Sequence, residues 1–379
     1  MKIGIVCYAS LGGSGIVATE LARQLVRRSH EVHLLSSEIP FRLRADSGGV
    51  VFHAVGTPDY PLFREPQYVI SLATRIVQVA RERQLDVVHA HYAVPHATAA
   101  YLAREILRTE CGGRVPAVIT TLHGTDITLV GTDPSYAETV RFSIDRSDAV
   151  TAVSESLRAD TIERLQAVSP IRVIPNFLDC DRFKRVFDAG LRERLCPAGQ
   201  YDALVVHLSN FRPVKRVDAV VKVFRRIRVR VRARLVLAGE GPDSLKVQNQ
   251  VEAYGLGPDV EILPPQEDVV PLLSVADLFL LPSLQESFGL AALEAMACEV
   301  PVVASRVGGL PEVIDDGTTG VLHPPDDLDA MAASAVHLLT DRAAHLSMAR
   351  EGRWAANYRF CVSEVVPLYE ALYRELIAR

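Results

Sequence analysis

Short apolar runs that alternate with amphipathic helical stretches constrain the fold of this chain more than any other feature. In the first half, five such runs predict buried parallel strands, at residues 3–8, 31–37, 86–92, 117–124 and 149–154. Between them, residues 16–28 and 69–83 place apolar side chains on one helical face. Because parallel strands need a crossover connection, usually a helix, this order predicts a doubly wound α/β fold.

The alternation of strand and helix restarts after residues 171–177 and a charged, irregular stretch. A second set of apolar runs predicts another parallel sheet, at residues 203–209, 233–241, 260–265, 278–283 and 300–305. A chain of 379 residues also exceeds the size at which one hydrophobic core keeps growing. We therefore predict two Rossmann-like domains facing an interdomain cleft, residues 1–172 and 173–359, with a last helix at about 360–379 that can pack back on the first domain.

Composition excludes several classes of protein. The formal net charge of −5 gives no overall attraction to nucleic acid or to acidic membranes. The sequence has no signal-peptide pattern and no apolar run near the roughly 18 residues that span a bilayer. Six cysteines are scattered without a C-x-x-C pair, which favours free thiols in a reducing compartment. These features predict a cytoplasmic enzyme or binding protein, and they are compatible with a homo-oligomer.

A glycine-dense turn follows the first predicted strand. Gly13, Gly15 and Ala18 spell G-x-G-x-x-A, and Glu38 follows about twenty residues later, which is the outline of a dinucleotide-binding site. On its own this pattern favours an NAD-dependent oxidoreductase. The loop is longer than in such sites, however, because residues 9–11 stand between the strand and the first glycine.

The stretch at residues 281–305 carries more information about chemistry. A predicted strand ends at Pro282, and residues 288–298 then have the pattern of a helix. The N-terminus of a helix presents unpaired N–H groups and the positive end of the helix dipole, so its backbone is well placed to bind phosphate. The four residues at this N-terminus are Ser287, Phe288, Gly289 and Leu290.

Two carboxylates flank this turn. Glu286 and Glu294 are separated by roughly 12 Å along a helix axis, too far to act as an acid and base pair on one bond. They are spaced to grip the two ends of an extended ligand such as a nucleotide sugar, which carries hydroxyl groups on both sides of a diphosphate. The alternative is that Glu286 is an ordinary first-turn acid and that Glu294 lies on the helix surface.

Several motifs in one order carry a resemblance to a known family. They are S-N-F-R-P-V-K-R at 209–216, G-E-G-P at 239–242, E-S-F-G-L-x-x-L-E-A-M-A-C at 286–298 and V-G-G-L-P-E-V-I at 307–314. With these motifs the chain resembles the family 4 retaining glycosyltransferases of the GT-B fold over nearly its whole length. The resemblance implies an acceptor-binding first domain and a second domain that binds a nucleotide-sugar donor, with no obligatory cofactor or metal.

The resemblance also implies roles for individual residues. Glu286 would hydrogen-bond the hydroxyl groups of the donor sugar, Glu294 would bind the ribose, and Lys215 would neutralise the diphosphate as it departs. His123, in the motif H-G-T-D, would contact the donor sugar and line the reaction centre. The donor would also lie against Gly13 and Arg216, together with the four residues of the helix N-terminus.

Position 210 departs from the family pattern. Members commonly carry an arginine five residues before the lysine, where this chain has Asn210. Either Arg212 or Arg216 supplies the missing charge, or Asn210 serves the acceptor. We favour a role for Asn210 at the acceptor.

Motifs in the first half of the chain indicate which acceptor would receive the sugar. Residues 7–21, 37–43, 89–97 and 120–128 resemble those family members that transfer N-acetylglucosamine (GlcNAc) from UDP-GlcNAc to the hydroxyl group of L-malate, with retention, in the first step of bacillithiol biosynthesis. A dicarboxylate needs a cation and hydrogen-bond donors, because buried carboxylates are stable only when paired. The residues predicted to bind it are Arg141, which supplies the charge, and Ser14, Tyr92, Thr121 and Asn210.

Other functions remain as alternatives. A family member with an inositol phosphate or a lipid-linked sugar as acceptor would share the donor site, whereas a non-catalytic sensor would bind the nucleotide sugar without turnover. A metal at the D-x-D sequence of residues 179–181, or at His89 and His91, is disfavoured, because the first lies in the linker and the second lacks a third ligand. The arginines of residues 225–234 are interpreted as a solvated helix end.

Overall fold

The computed structural model describes residues 1–9, 12–40, 43, 47–57, 67–109 and 114–378. The chain forms two compact units, the first made of Met1–Asn176 and Val362–Arg379 and the second of Phe177–Cys361. The roles predicted for the two domains stay predictions. Of the motifs and the six cysteines that the sequence analysis uses, five residues lie outside the described residues: Ser10, Leu11, Phe41, Arg42 and Cys111.

Each unit contains one parallel sheet. The strands of the first are β1 (Lys2–Val6), β2 (Glu31–Ser36), β3 (Val51–Ala54), β4 (Val87–His91), β5 (Ala117–Leu122), β6 (Ala149–Ala152) and β7 (Ile171–Val173). Those of the second are β8 (Ala203–Leu208), β9 (Ala233–Ala238), β10 (Val260–Leu263), β11 (Leu278–Leu281), β12 (Val302–Ser305) and β13 (Val321–His323). The strand orders are β3-β2-β1-β4-β5-β6-β7 and β10-β9-β8-β11-β12-β13, which confirms the predicted doubly wound α/β fold.

Helices connect the strands, and the last three helices follow the final strand β13. They are α1 (Gly13–Arg27), α2 (Tyr68–Arg83), α3 (Thr98–Arg108), α4 (Ala137–Asp145), α5 (Glu155–Leu165), α6 (Ala189–Leu195), α7 (Val217–Arg228), α8 (Ser244–Ala253), α9 (Val270–Ser274), α10 (Leu290–Ala297), α11 (Leu310–Val313), α12 (Leu328–Thr340), α13 (Arg342–Phe360) and α14 (Val362–Ile377).

Three details differ from the sequence prediction. The short strands β3 and β13 were not predicted, since four and three residues give little periodicity to detect. Strand β7, interpreted as the lead into the second half, is the last strand of the first sheet and pairs with β6. Helix α10 begins at Leu290 and not at residue 288, because Gly289 has a left-handed φ of +99° that ends the preceding turn.

In the first unit, α2 and α3 cover the sheet with a continuous apolar layer that includes Leu72, Ile76 and Ala103. Helix α14 also belongs to this unit and is anchored to it by two polar contacts near its middle. His30 lies 2.7 Å from a carboxylate oxygen of Glu370, and the hydroxyl of Tyr373 lies 2.7 Å from Nδ1 of His89. The second unit has its own core, built mainly on α7, α12 and the strands between them.

Two cysteines are joined, although the sequence predicted free thiols throughout. Cys180 and Cys361 form a disulfide with their Cα atoms 5.7 Å apart. The segments at which the chain enters and leaves the second unit lie side by side, since the N–H of Leu178 donates to the carbonyl of Phe360 at 3.0 Å, and this brings the pair together. The prediction is therefore wrong for these two residues, whereas Cys7, Cys196 and Cys298 are free and buried.

Two further properties concern the described residues as a whole. None of their helices combines the length and the apolar character that crossing a membrane requires. Within the same part of the chain, no group of three or more His, Cys, Asp or Glu side chains is arranged to hold a metal ion. Asp179 of the D-x-D sequence instead caps its own turn, accepting from the N–H groups of Asp181 and Arg182.

The second sheet depends on backbone contacts that only glycine permits. A Cβ atom on Gly239, which has a φ of +140°, would lie 1.8 Å from the carbonyl oxygen of Ser209, whereas one on Gly255, with a φ of +64°, meets nothing within 4 Å. We expect Gly239→Ala to lower the free energy of unfolding by more than about 3 kcal/mol, because conformational strain and a backbone clash add. Urea unfolding followed by circular dichroism measures this loss.

Gly255→Ala is the matched control, because alanine at this position has the strain of a left-handed backbone but its Cβ atom clashes with no neighbouring atom. Its loss should stay near 1–2 kcal/mol, roughly the cost of a left-handed backbone for a residue with a side chain. Equal losses for the two variants would contradict the importance of the close approach at Gly239.

Candidate active site

The candidate donor site lies where the strand order of the second sheet reverses, between β8 and β11. Loops that follow two such strands leave on opposite faces, which opens a crevice at the carboxyl edge of the sheet. Lys215 follows β8 and Glu286 follows β11, and the ammonium nitrogen lies 2.6 Å from Oε1 of the carboxylate. The structure therefore brings together the two side chains on which the sequence prediction placed most of the chemistry.

Glu286 is held by more than the lysine. The hydroxyl of Ser283 donates to the same carboxylate oxygen at 2.9 Å, and Glu286 is only 8% exposed. A nearly buried carboxylate is stable only when it is paired and hydrogen-bonded, and these two contacts meet that need. Ser283 was missed by sequence reasoning, although its position three residues before Glu286 was a usable signal.

The backbone of the turn that carries Glu286 packs directly against Gly308 and Gly309. The N–H of Gly309 donates to the carbonyl of Glu286 at 2.9 Å. A Cβ atom on Gly308 would lie 1.9 Å from that same oxygen, and one on Gly309 would lie 2.4 Å from the carbonyl oxygen of Ser287. The glycine pair of the motif at 307–314 thus lets two backbone segments touch, a role that sequence reasoning did not assign.

Helix α10 begins directly after this turn. Its N-cap is Gly289, and no side chain of the described part of the chain caps it. The uncapped N–H groups and the positive end of the helix dipole favour an anion, and the ammonium of Lys215 lies at the same edge of the sheet. Together they form an arrangement that can hold a diphosphate.

The other predicted donor residues take different positions around this edge. Phe288 is buried with its ring 5.5 Å from that of Phe360, so only its backbone is available to a ligand. Arg216 donates to the carbonyl of Pro325 at 2.7 Å. Glu294 is 7% exposed, which argues against the alternative of a surface residue. Ser287 and Leu290 are half-buried. Asn210, predicted to serve the acceptor and not the donor, is exposed.

The first unit has its own point of strand reversal, between β1 and β4. His123 follows the neighbouring β5, and its Nε2 lies 2.9 Å from Nδ1 of His91. Burial lowers the pKa of His123 to about 3, so the ring is neutral at physiological pH. The sequence disfavours a metal at His91, and the structure makes this residue the partner of His123.

Gly124 and Asp126 of the H-G-T-D motif hold the loop that follows β5 in place. Asp126 is 1% exposed and accepts from the N–H of Gly124 at 2.9 Å. Burial raises the pKa of this carboxyl to about 6, although hydrogen bonds from backbone N–H groups oppose the shift. The motif is therefore a buried structural turn that presents His123 at its start.

Tyr92 and the start of α1 lie at the same edge of the first sheet. Tyr92 has a left-handed φ of 92° and is half-buried, and its ring centroid lies 5.4 Å from those of both Tyr8 and His123. Gly13 is the exposed first residue of α1, and Ser14 follows it with 8% exposure. The predicted glycine turn thus opens a helix at the carboxyl end of β1.

Thr121 is placed differently from what the acceptor prediction requires of it. The hydroxyl of Thr121 is fully buried and lies 2.6 Å from both His89 Nε2 and the hydroxyl of Thr151, so it faces the interior of the unit and is not presented to a ligand. This is a correction that follows from pairing between strands β4, β5 and β6. Arg141 lies on α4, where its guanidinium pairs with Glu138 at 2.7 Å.

Four of the six arginines at residues 225–234 form ion pairs with acids of the second unit. Arg226 pairs with Asp329. Arg228 pairs with Asp259 at 2.9 Å, Arg232 with Asp202 at 2.6 Å, and Arg234 with Glu261 at 3.0 Å. Such pairs leave little net positive potential for an anionic polymer.

Buried histidines make the stability of the first unit dependent on pH. Burial lowers the pKa of His96 to about 4 and that of His89 to about 3, whereas histidines of the unfolded chain titrate near 6.5. Their contribution is complete above pH 6.5 and is lost as the pH falls, by up to about 1.4 kcal/mol per pH unit for each ring. The raised pKa of the Asp126 carboxyl has the opposite effect, because it stabilises the folded state as the pH falls. This is one group, set against the two histidines.

We therefore expect the free energy of unfolding to fall between pH 6.5 and about 4.5, with a smaller slope in His96→Gln. Urea unfolding at a series of pH values measures the slope. His337→Gln, at an exposed position of α12, is the control. An unchanged slope in His96→Gln would contradict the buried, neutral state of His96.

Two family models match the chain, one in each half. The model of Glycosyltransferase Family 4 matches residues 11–182, and the model of Glycosyl transferases group 1 matches residues 198–354. The second range contains Lys215, Glu286 and Glu294.

Similar proteins are found among relatives and among solved structures. The D-inositol 3-phosphate glycosyltransferase of Actinosynnema mirum is 31% identical over 341 residues, covering 82% of this chain and 80% of that protein. The structure of HepE from Anabaena in complex with UDP and glucose has a TM-score of 0.81 at 21% identity and covers 100% of both chains, a likeness of fold. The N-acetyl-α-D-glucosaminyl L-malate synthase of Bacillus anthracis is 42% identical over 379 residues, covering 100% of this chain and 97% of that protein. The chain therefore belongs to the family 4 glycosyltransferases, which have the GT-B fold.

Proposed function

We propose that this protein is a retaining glycosyltransferase that moves GlcNAc from UDP-GlcNAc to the hydroxyl group of L-malate, the first step of bacillithiol biosynthesis. The observation that carries the proposal is the pairing of Lys215 with Glu286 at the strand reversal of the second sheet, beside the start of α10. The choice of sugar and acceptor is supported by the 42% identity to the Bacillus anthracis synthase. An NAD-dependent oxidoreductase is set aside, because the family is one of glycosyltransferases.

The second unit would bind the donor. The diphosphate would lie against the N-terminus of α10 and the ammonium of Lys215, while Glu286 accepts hydrogen bonds from the sugar hydroxyl groups and Glu294 from the ribose. Since Lys215 and Glu286 are 2.6 Å apart, one cation can serve both the carboxylate and the departing phosphate. The UDP and glucose bound to HepE, a protein of the same fold, support a UDP-sugar as the class of donor.

The reaction would proceed on one face of the sugar. A bond forms between the malate hydroxyl oxygen and C1 of GlcNAc, and the bond from C1 to the β-phosphate oxygen breaks. The departing β-phosphate takes the proton of the attacking hydroxyl group, which leaves UDP as the other product. In this scheme the protein acts by orientation and by stabilising the charge of UDP, with Lys215 as the source of positive charge.

The first unit would bind the acceptor. Arg141 would pair with a malate carboxylate, and Ser14 and Tyr92 would supply hydrogen bonds. Asn210, an exposed residue of the second unit, stays a predicted acceptor residue. His123 would line the reaction centre as a neutral ring, since its pKa of about 3 keeps it uncharged. Thr121 would act indirectly, because its buried hydroxyl is bonded to His89 and Thr151.

Lys215→Ala tests the donor side. We expect kcat to fall by on the order of 100-fold or more, because a preorganised charge that acts on the leaving group is lost. Steady-state release of UDP from UDP-GlcNAc with L-malate measures this effect. Lys222→Ala is the matched control, since Lys222 forms an ordinary helical ion pair with Asp218 at 2.9 Å. A near-normal kcat in Lys215→Ala would refute the role.

The acceptor side is tested by comparing L-malate with inositol phosphates in the same assay. We expect turnover with L-malate to exceed turnover with the inositol phosphates, and we expect Arg141→Ala to raise the KM for malate at least about tenfold by removing a charged partner. Arg158→Ala is the matched control, because Arg158 pairs with Glu155 on α5 just as Arg141 pairs with Glu138 on α4.

A preference for an inositol phosphate would overturn the proposed acceptor while leaving the donor site intact. An unchanged KM for malate in Arg141→Ala would remove Arg141 from the acceptor site.

A further inference from the structure

A directed chain of hydrogen bonds lies beneath the loop that carries Lys215. His207, near the end of β8, is fully buried, with Nδ1 2.8 Å from the carbonyl oxygen of Leu280 and Nε2 2.8 Å from the hydroxyl of Ser209. The N–H of Phe211 in turn donates to the Ser209 hydroxyl oxygen at 3.3 Å. These contacts link the interior of the sheet to the first residues of the loop.

The direction of each hydrogen bond follows from the chemistry of the groups. A carbonyl oxygen only accepts, so Nδ1 of His207 carries the proton that Leu280 receives, and Nε2 of the neutral ring is an acceptor. The hydroxyl of Ser209 therefore donates to Nε2 and uses a lone pair to accept from Phe211. Burial lowers the pKa of His207 to about 4, although the hydrogen bond to the carbonyl of Leu280 opposes this shift, so the ring stays neutral.

The loop needs such support because its backbone is unfavourable in two places. Phe211 has a φ of +37° and Arg216 a φ of +49°, a left-handed conformation that residues with a side chain rarely adopt. Two further hydrogen bonds fix its course, from the N–H of Asp243 to the carbonyl of Phe211 at 3.0 Å and from the N–H of Leu284 to the carbonyl of Val214 at 2.8 Å. The second of these ties the loop directly to the turn of Glu286.

We infer that His207 and Ser209 are positioning residues that set the location of the Lys215 ammonium group. They fix the start of the loop at Phe211, and the loop then delivers Lys215 to Glu286 at 2.6 Å. This inference rests on the proposed function, because it gives Lys215 its role in stabilising the departing diphosphate. His207 and Ser209 act through the lysine and not on the substrate.

Ser209 is the residue to change, because it is half-buried whereas His207 lies in the core. We expect Ser209→Ala to lower kcat about tenfold, the effect of losing one intramolecular hydrogen bond, with the KM for UDP-GlcNAc changed by less than about threefold. Ser209→Thr keeps the hydroxyl group and should restore kcat to within about threefold of the unmodified protein.

Ser274→Ala is the matched control for a merely structural effect. Ser274 is fully buried in the same unit, and its hydroxyl accepts from the N–H of Val186 at 2.9 Å. Its replacement should lower thermal stability at least as much as Ser209→Ala while leaving kcat unchanged. Equal kcat values for Ser209→Ala and Ser274→Ala would overturn the inference.

A double-mutant cycle tests whether Ser209 acts through the lysine. In a Lys215→Ala background, Ser209→Ala should change kcat by less than about twofold, because the group it positions is already absent. The same tenfold loss in both backgrounds would overturn the inference.

The binding of UDP and of uridine separates this inference from the proposed function. If the unmodified protein shows no turnover with L-malate, the proposed acceptor fails, yet Ser209→Ala should still reduce the preference for UDP over uridine about fivefold or more. The terminal phosphate of UDP carries a charge that the esterified phosphate of UDP-GlcNAc lacks, so UDP depends more on a well-placed Lys215 than the donor does. An unchanged preference in Ser209→Ala would overturn the inference whichever acceptor the protein uses.

Discussion

The reversal of strand order between β8 and β11 is the constraint on which the candidate site depends. Two neighbouring parallel strands whose loops leave on opposite faces open a crevice at their carboxyl ends. That crevice is where Lys215 and Glu286 approach to 2.6 Å and where α10 begins. The same arrangement in the first sheet, between β1 and β4, places Tyr92 and the start of α1 at a second crevice.

Close packing between backbone segments fixes the positions of the loops that follow β8 and β11. Gly239 and Gly241 lie against the carbonyl oxygens of Ser209 and Asn210, and Gly308 and Gly309 lie against the turn of Glu286. Since no side chain separates these segments, the loops after β8 and β11 have little freedom to shift. Charged groups can then be held at fixed distances before a ligand arrives, which is how preorganised sites lower an energy barrier.

The sequence predicted the fold and part of the site, for identifiable reasons. Apolar periodicity located most strands, and the family motifs predicted that Lys215 and Glu286 share one site, because each motif follows a strand of the same sheet. The enclosure of Thr121 was not predictable, since it depends on a hydroxyl contributed by Thr151 from another strand. The disulfide between Cys180 and Cys361 had no signal either, because 181 residues separate the two cysteines.

The structure of the protein crystallised with UDP is the most direct test of the proposed donor site. We expect the β-phosphate to contact the ammonium of Lys215 and backbone N–H groups at the start of α10, with the ribose next to Glu294. A diphosphate bound elsewhere, with Lys215 still paired only to Glu286 and the start of α10 covered by protein side chains, would contradict the assignment of this site.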